Sequence, residues 1–240
     1  MKSMILAMLA WCASIHLVAA ENWRDAYSAL LEKYVSEEGV DYGAWKGNQA
    51  DVTELNQIMD HISRHGPGAD TKEAKLAYYM NAYNAWVLKH VLDKYPITSV
   101  TDLGSGFELF SEKRIQVGGD KMSLNYLEKE LLIKQLDEPR VHFGVNCAAK
   151  SCPPLASYAF TSDRVDLQLE QLSADFILKN PTGVKVSDNT VKLSKIFEWY
   201  SKDFEPEGVI FFVNRYRSKK IPKDIEFSYF KYDWALNKSK

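Results

Sequence analysis

Apolar positions along the first half of the chain recur at helical spacing. Trp23, Ala26, Tyr27, Leu30, Leu31 and Tyr34 predict a helix over about 22 to 36 that ends near Gly39. Leu55, Ile58, Met59 and Ile62 share a face of a second helix over Val52 to Ile62, stopped by "HGPG". The run "TKEAKLAYYMNAYNAWVLKHVLDKYP" is apolar almost all round, with Thr71 placed to cap it and Pro96 beyond its end. Such a segment is the buried central helix of its fold.

Shorter periods follow. "RIQVGGDKMSL" predicts a strand and a Gly118-Gly119 turn, and Ser123 is positioned to cap a helix over "SLNYLEKELLIKQL". Arg140 to Asn146 alternates as a strand, with Val141, Phe143 and Val145 on one face and Arg140, His142, Gly144 and Asn146 on the other. A helix fits "DRVDLQLEQLSADFILKN", a hairpin around Ser187-Asp188-Asn189 fits "GVKVSDNTVKLS", and Lys195 to Phe204 reads as a short helix. "VIFFVNRY" suits either a strand or a buried helix, while "IEFSYFKYDW" closes the chain as an alternating strand. Helices first and mixed elements afterwards make an α+β layout, a helical N-terminal half whose central helix packs on a small antiparallel sheet. With no repeat or linker to divide it, the chain reads as one domain over 21–240.

Residues 1–20, "MKSMILAMLAWCASIHLVAA", combine a lysine, an apolar run and a small-residue end, the pattern of a cleaved signal peptide. Export to the periplasm or outside the cell is therefore expected, with no stable membrane anchor after cleavage. Loss of those 20 residues leaves 220, and loss of Lys2 moves the formal charge from -2 to -3. The 30 basic and 32 acidic residues form no stripe of one sign, so nucleic-acid binding is not supported.

Only Cys147 and Cys152 of the three cysteines would survive processing. In an oxidising compartment a Cys147–Cys152 disulfide is one reading, and a reactive thiol or two inert thiols are the others. The C-x4-C spacing is not a zinc signature, so no metal and no cofactor is implied. An extended strand would separate His142 from Cys147 by roughly 16 Å, which favours Cys152, brought back by a turn, as the partner of the imidazole. Asn81 and Asn84 lie three apart in the central helix, where a buried amide clamps a neighbouring segment or donates to an oxyanion. Asp233 is positioned either to orient His142 or to pair with Arg140.

The blocks "YYMNAYNAWVLKHVLDKYP", "MSLNYLEKELL", "PRVHFGVNCAAKSCPPL", "LSKIFEWYSKDF" and "YDWALN" resemble, in order, those of the DUF547 family, over about Lys72 to Asn237. Asn81, Asn84, Ser123, Glu128, Arg140, His142, Cys147, Ser151, Cys152, Pro153, Asp203, Tyr232, Asp233 and Asn237 match its signature positions. By analogy of architecture the resemblance implies a papain-like or transglutaminase-like arrangement. Papain-like enzymes place the nucleophile at the start of the central helix, whereas this helix has no cysteine.

On that basis the expected function is a thiol-dependent hydrolase or acyl transferase acting on a peptide-like substrate. Cys152 is its expected nucleophile, with Cys147 as alternative or resolving partner. His142 is the base, Asp233 the orienter and Asn81 or Asn84 the oxyanion donor. Arg140, Asn84, Tyr83, Ser151 and Glu128 are the candidate substrate-binding residues. The alternative is a non-catalytic module for a small ligand, such as a thiol peptide like glutathione, rigidified by the Cys147–Cys152 bridge. A thiol-disulfide exchange protein is disfavoured by the long spacing.

Overall fold

A computed structural model describes residues 23–104, 107–187 and 190–239. The expected signal segment 1–20 and the tip of the expected hairpin at Asp188-Asn189 lie outside the described residues. Among the described residues, no helix is long and apolar enough to cross a membrane.

Helix α1 (residues 23–34) buries Trp23, Tyr27, Leu30, Leu31 and Tyr34, the face its spacing predicts. A two-residue ladder joins β1 (Val35–Ser36) to β2 (Gly39–Val40) and leads into α2 (Tyr42–Gly47), a helix the periodicity is too short to announce. Asp41 caps α2 by accepting the Ala44 N–H, and Trp45 stacks on Tyr34 with ring centroids 4.8 Å apart. Helix α3 (Gln49–Arg64) is capped by Asn48 and buries Leu55, Ile58, Met59 and Ile62.

Helix α4 (Lys72–Lys94) is the buried centre, with the Thr71 hydroxyl accepting the Ala74 N–H as expected. Its principal neighbours are helical, among them α2 and α3. A short 3-10 turn (Val100–Leu103) and α5 (Glu108–Ser111) follow. The hairpin of β3 (Ile115–Val117) and β4 (Asp120–Met122) packs on α3, its turn formed by Gly118 and Gly119 at φ +61° and +95°. Those two glycines donate N–H groups to Ile62 and Ser63 carbonyls at 2.9 and 2.7 Å, which satisfies the end of α3.

Ser123 caps α6 at the Tyr126 N–H. The helix begins with α geometry over Leu124–Tyr126 and then widens to π geometry over Leu127–Gln135. Helix α7 (Val165–Leu178), β5 (Val184–Val186), β6 (Val191–Leu193), α8 (Ile196–Trp199), a 3-10 turn (Ser201–Phe204), α9 (Val209–Tyr216) and β7 (Phe227–Tyr229) complete the chain. The α+β class holds, but strands are divided among three small sheets. The largest orders β5-β6-β7 with β6 and β7 parallel. "VIFFVNRY" is the helix α9, and the expected closing strand shrinks to β7 because the chain beyond it serves another segment.

The expected strand at 140–146 is instead a 3-10 helix over Pro139–Phe143. Pro139 supplies the fixed φ of a first turn, the Glu138 side chain accepts the Arg140 N–H, and the turn closes at Gly144. Three residues per turn put Arg140 and Phe143 on one side, where strand parity would oppose them. Arg140 accordingly reaches Asp166 and Glu170 of α7, and Phe143 packs on Phe176 of α7. Phe143 belongs to a second, aromatic core with Phe197, Phe204 and Phe212, while Val141 belongs to the larger core around α4.

Two amides on α4 fasten the segments that follow. Asn81 donates to the Phe160 carbonyl and accepts the Phe160 N–H, both at 2.8 Å. Asn84 donates to the Gly144 carbonyl and accepts the Asn146 N–H, both at 2.9 Å. Each amide thus pairs with main chain as a neighbouring strand would, and the expected role as oxyanion donor gives way to the clamp. Asn84→Ala would leave two buried main-chain groups unpaired at a cost of about 2–5 kcal/mol. Denaturant unfolding checks this; a loss below about 1 kcal/mol contradicts the clamp.

Candidate functional site

The clamp delivers the chain to a loop that Asn146 closes. Its side chain donates to the Pro153 carbonyl at 2.7 Å and accepts the Ala148 N–H at 2.8 Å, while Ala148 takes φ +64°. Residues 148–151 then pair with the C-terminal segment: Lys150 N–H to Ala235, Ser151 N–H to Asp233 and Asn237 N–H to Ala148. The terminal "YDWALN" is a strap across the cysteine loop, anchored further by the Tyr42 hydroxyl on Asn237 at 2.8 Å.

The strap sets the Tyr232 hydroxyl 3.4 Å from the Cys147 sulfur. Cys147 and Cys152 are unbridged and half-buried, and the Cys147 N–H points to Cys152 Sγ at 3.1 Å. Both thiols face a cavity of about 290 Å³ that His142, Glu128 and Tyr83 also line. Aromatic rings form much of its wall, from Phe107 and Trp234 to Trp199 and Tyr200.

One negative charge shared between the thiols belongs on Cys147. The Cys152 thiol is its strongest donor, joined by the Tyr232 hydroxyl and the Ala149 N–H, and together they hold Cys147 below the ordinary thiol range against burial and the charge of Glu128. Cys152 is pushed well above that range, first by burial and then by its bond to Cys147. The Cys147 N–H and the Tyr232 hydroxyl also favour a charge on Cys152, but burial outweighs them there. Burial raises Tyr83 and Tyr232 far above the usual phenol range, so their hydroxyls remain donors.

His142 is 3% exposed, and its ring lies 4.0 Å from that of Tyr200. Its Nε2 lies 2.8 Å from Asp203 Oδ2, and its Nδ1 lies 3.7 Å from Glu128 Oε1. The imidazole therefore sits between two carboxylates. Expected on a polar strand face, His142 instead projects from the 3-10 turn into the cavity that also holds both cysteines. The turn removes the extended geometry that disfavoured Cys147.

Several expected partners stand elsewhere. Asp233 does not orient His142: its carboxylate accepts the Ala235 N–H at 3.0 Å, and its own N–H bonds the Ser151 hydroxyl at 2.9 Å. The 3-10 turn after α8 supplies Asp203 in its place. Arg140 is consumed by Glu138, Asp166 and Glu170, which leaves no open fork for a substrate carboxylate. Ser151 braces the strap, and Asn81 and Asn84 have their amides filled. Glu128 and Tyr83 do line the cavity. Sequence reasoning gave no site role to Asp203 or Tyr232, although both stand among the matched family positions, and it passed over Trp199, Tyr200 and Trp234. Among the described residues, no cluster of three His, Cys, Asp or Glu side chains is arranged to hold a metal.

Removing a donor should raise the Cys147 pKa and slow its alkylation at neutral pH. Tyr232→Phe is expected to move the midpoint of the alkylation–pH profile up by about one unit, the worth of one charge-assisted hydrogen bond. Cys152→Ala should move it further. Profiles that superimpose on that of the unaltered protein refute the assignment.

No curated protein and no solved structure matches the chain significantly. The family match that does exist runs from the turn before α4 into α7, taking in Glu128, His142, Cys147 and Cys152 but not Asp203 or Tyr232. It covers residues 68–177, a little under half of the chain, and its description is "Protein of unknown function, DUF547"; over those residues the chain is similar to the DUF547 family.

Proposed function

We propose that the protein is an exported thiol-dependent hydrolase or acyl transferase for a peptide-like substrate, with Cys147 as nucleophile. The observation that carries this reading is the Cys147 sulfur, 3.4 Å from the Tyr232 hydroxyl, in a cavity shared with His142, whose Nε2 meets Asp203. Thiolate attack on the acyl carbon forms the C–S bond, and collapse expels the leaving amine. Tyr232, 3.4 Å from the sulfur, loses its thiolate partner as the bond forms and can turn its O–H to the developing oxyanion. His142, held at Nε2 by Asp203, supplies the proton to the leaving amine at Nδ1. The same nitrogen then takes a proton from the water or acceptor that cleaves the thioester, returning the site to its starting state. This replaces the expected Cys152, Asp233 and Asn81 roles: Cys152 becomes a donor to the reacting sulfur, Asp203 orients the imidazole, and Asn81 is structural. The leader-like pattern of residues 1–20 supports export.

A non-catalytic ligand-binding reading draws on one feature, the two carboxylates that face both nitrogens of His142. An activated ester of an N-acylated amino acid separates the two. The acyl-transfer reading expects a hydroxylamine-labile adduct on Cys147 that persists in Cys152→Ala and disappears in Cys147→Ala. His142→Ala should slow turnover by about 10²–10⁴. Saturable binding with no adduct, and ester hydrolysis unchanged by Cys147→Ala, would establish the binding module instead.

A further inference from the structure

Glu128 is 5% exposed, yet among the described residues no lysine or arginine lies within ion-pair distance of it. The nitrogen it faces is His142 Nδ1 at 3.7 Å, and that imidazole already holds Asp203 at 2.8 Å through Nε2. Two carboxylates thus share one imidazole, and of the two Glu128 lines the cavity. A buried carboxylate without a full counter-charge is costly unless something arrives to pair with it. No lysine or arginine is among the residues lining this cavity.

The aromatic residues lining the same cavity supply the other half of a cation site. Trp199, Tyr232 and Trp234 pack with ring centroids 4.4–5.7 Å apart, and Phe107 adds its ring 4.6 Å from Trp234. Trp199 is 47% exposed and Phe107 38%, which leaves part of each ring open. Ring faces attract cations, and they do so most strongly where water is displaced. An apolar ligand would be content with the rings alone and would leave Glu128 with only the Tyr200 hydroxyl and its share of His142. An anion would meet the Glu128 carboxylate.

We infer that this cavity selects an organic cation, an alkylammonium or guanidinium group adjacent to the acyl bond that Cys147 attacks, held between the Glu128 carboxylate and the Trp199, Tyr232 and Trp234 rings. The inference rests on the reading of Cys147 as the reacting thiol, and it names the substrate class for that site. The cation neutralises the surplus charge beside His142 and sets the acyl group over the sulfur.

The test compares three methanethiosulfonates on the full chain: the neutral methyl reagent, the cationic trimethylammonioethyl reagent and the anionic sulfonatoethyl reagent. In each, the Cys147 thiolate displaces methanesulfinate and forms a mixed disulfide, which is quantified on the Cys147 peptide. The cation-to-anion rate ratio, divided by that of free 2-mercaptoethanol to remove intrinsic reactivity, is expected to exceed about tenfold. It should fall at least about fivefold in Glu128→Gln and by a smaller factor in Trp199→Ala. A ratio equal to that of the free thiol, a preference for the anion, or a ratio indifferent to Glu128→Gln overturns the inference.

Binding is measured separately by tryptophan fluorescence in Cys147→Ser, with tetramethylammonium against neutral 3,3-dimethylbutanol. Tighter binding of the cation, weakened by Glu128→Gln, supports the site even where the neutral reagent leaves Cys147 unmodified, an outcome that would count only against the thiol reading. Equal or weaker binding of the cation overturns it.

Discussion

The carboxamide of Asn84 is the fastening on which the site depends. A side chain on the most deeply buried helix of the molecule pairs with the Gly144 carbonyl and the Asn146 N–H, and so fixes the main chain immediately before Cys147. Because the helix is rigid and the amide planar, the loop inherits its position from the core. Asn146 passes that order onward to Pro153 and Ala148, and the loop's open edge is taken up by the terminal strap. Removal of any one partner leaves buried polar groups exposed to no solvent, which is why the chain devotes three asparagines to main-chain pairing here.

The strap explains how residues more than eighty positions apart come to share one cavity. Tyr232 arrives at Cys147 because Asp233, Ala235 and Asn237 pair with residues 148–151. Asp203 arrives at His142 by another route. The aromatic core of Phe143, Phe197, Phe204 and Phe212 draws the 3-10 turn after α8 against the one at Pro139–Phe143. Cavity and chemistry therefore lie at the seam between two apolar clusters, with His142 projecting between them.

Local rules made the helical half legible: the Thr71 cap, the apolar span of α4 and the Gly118-Gly119 turn each follow from residues adjacent in sequence. The segment Arg140–Asn146 shows where such rules fail. Its alternation of Val, His and Phe satisfies a strand period, yet Pro139 at the start and Gly144 at the end bound a tight turn too short for periodicity to reveal. Parity then misplaced His142, and with it the choice between the cysteines. The exchange of Asp233 for Asp203 has a different origin, since long-range closure through the strap and the aromatic core leaves no trace in spacing. Asp203 and Tyr232 were visible only as positions shared with a family, without a role attached.

The widened stretch of α6 has a consequence for how the cavity can change. A π segment winds more residues into each turn than an α-helix does. Glu128 sits at its second position, where the winding first departs from that of the preceding α turn. Regular winding from Leu127 onward would turn the following side chains about the axis, the Glu128 carboxylate beside His142 first among them.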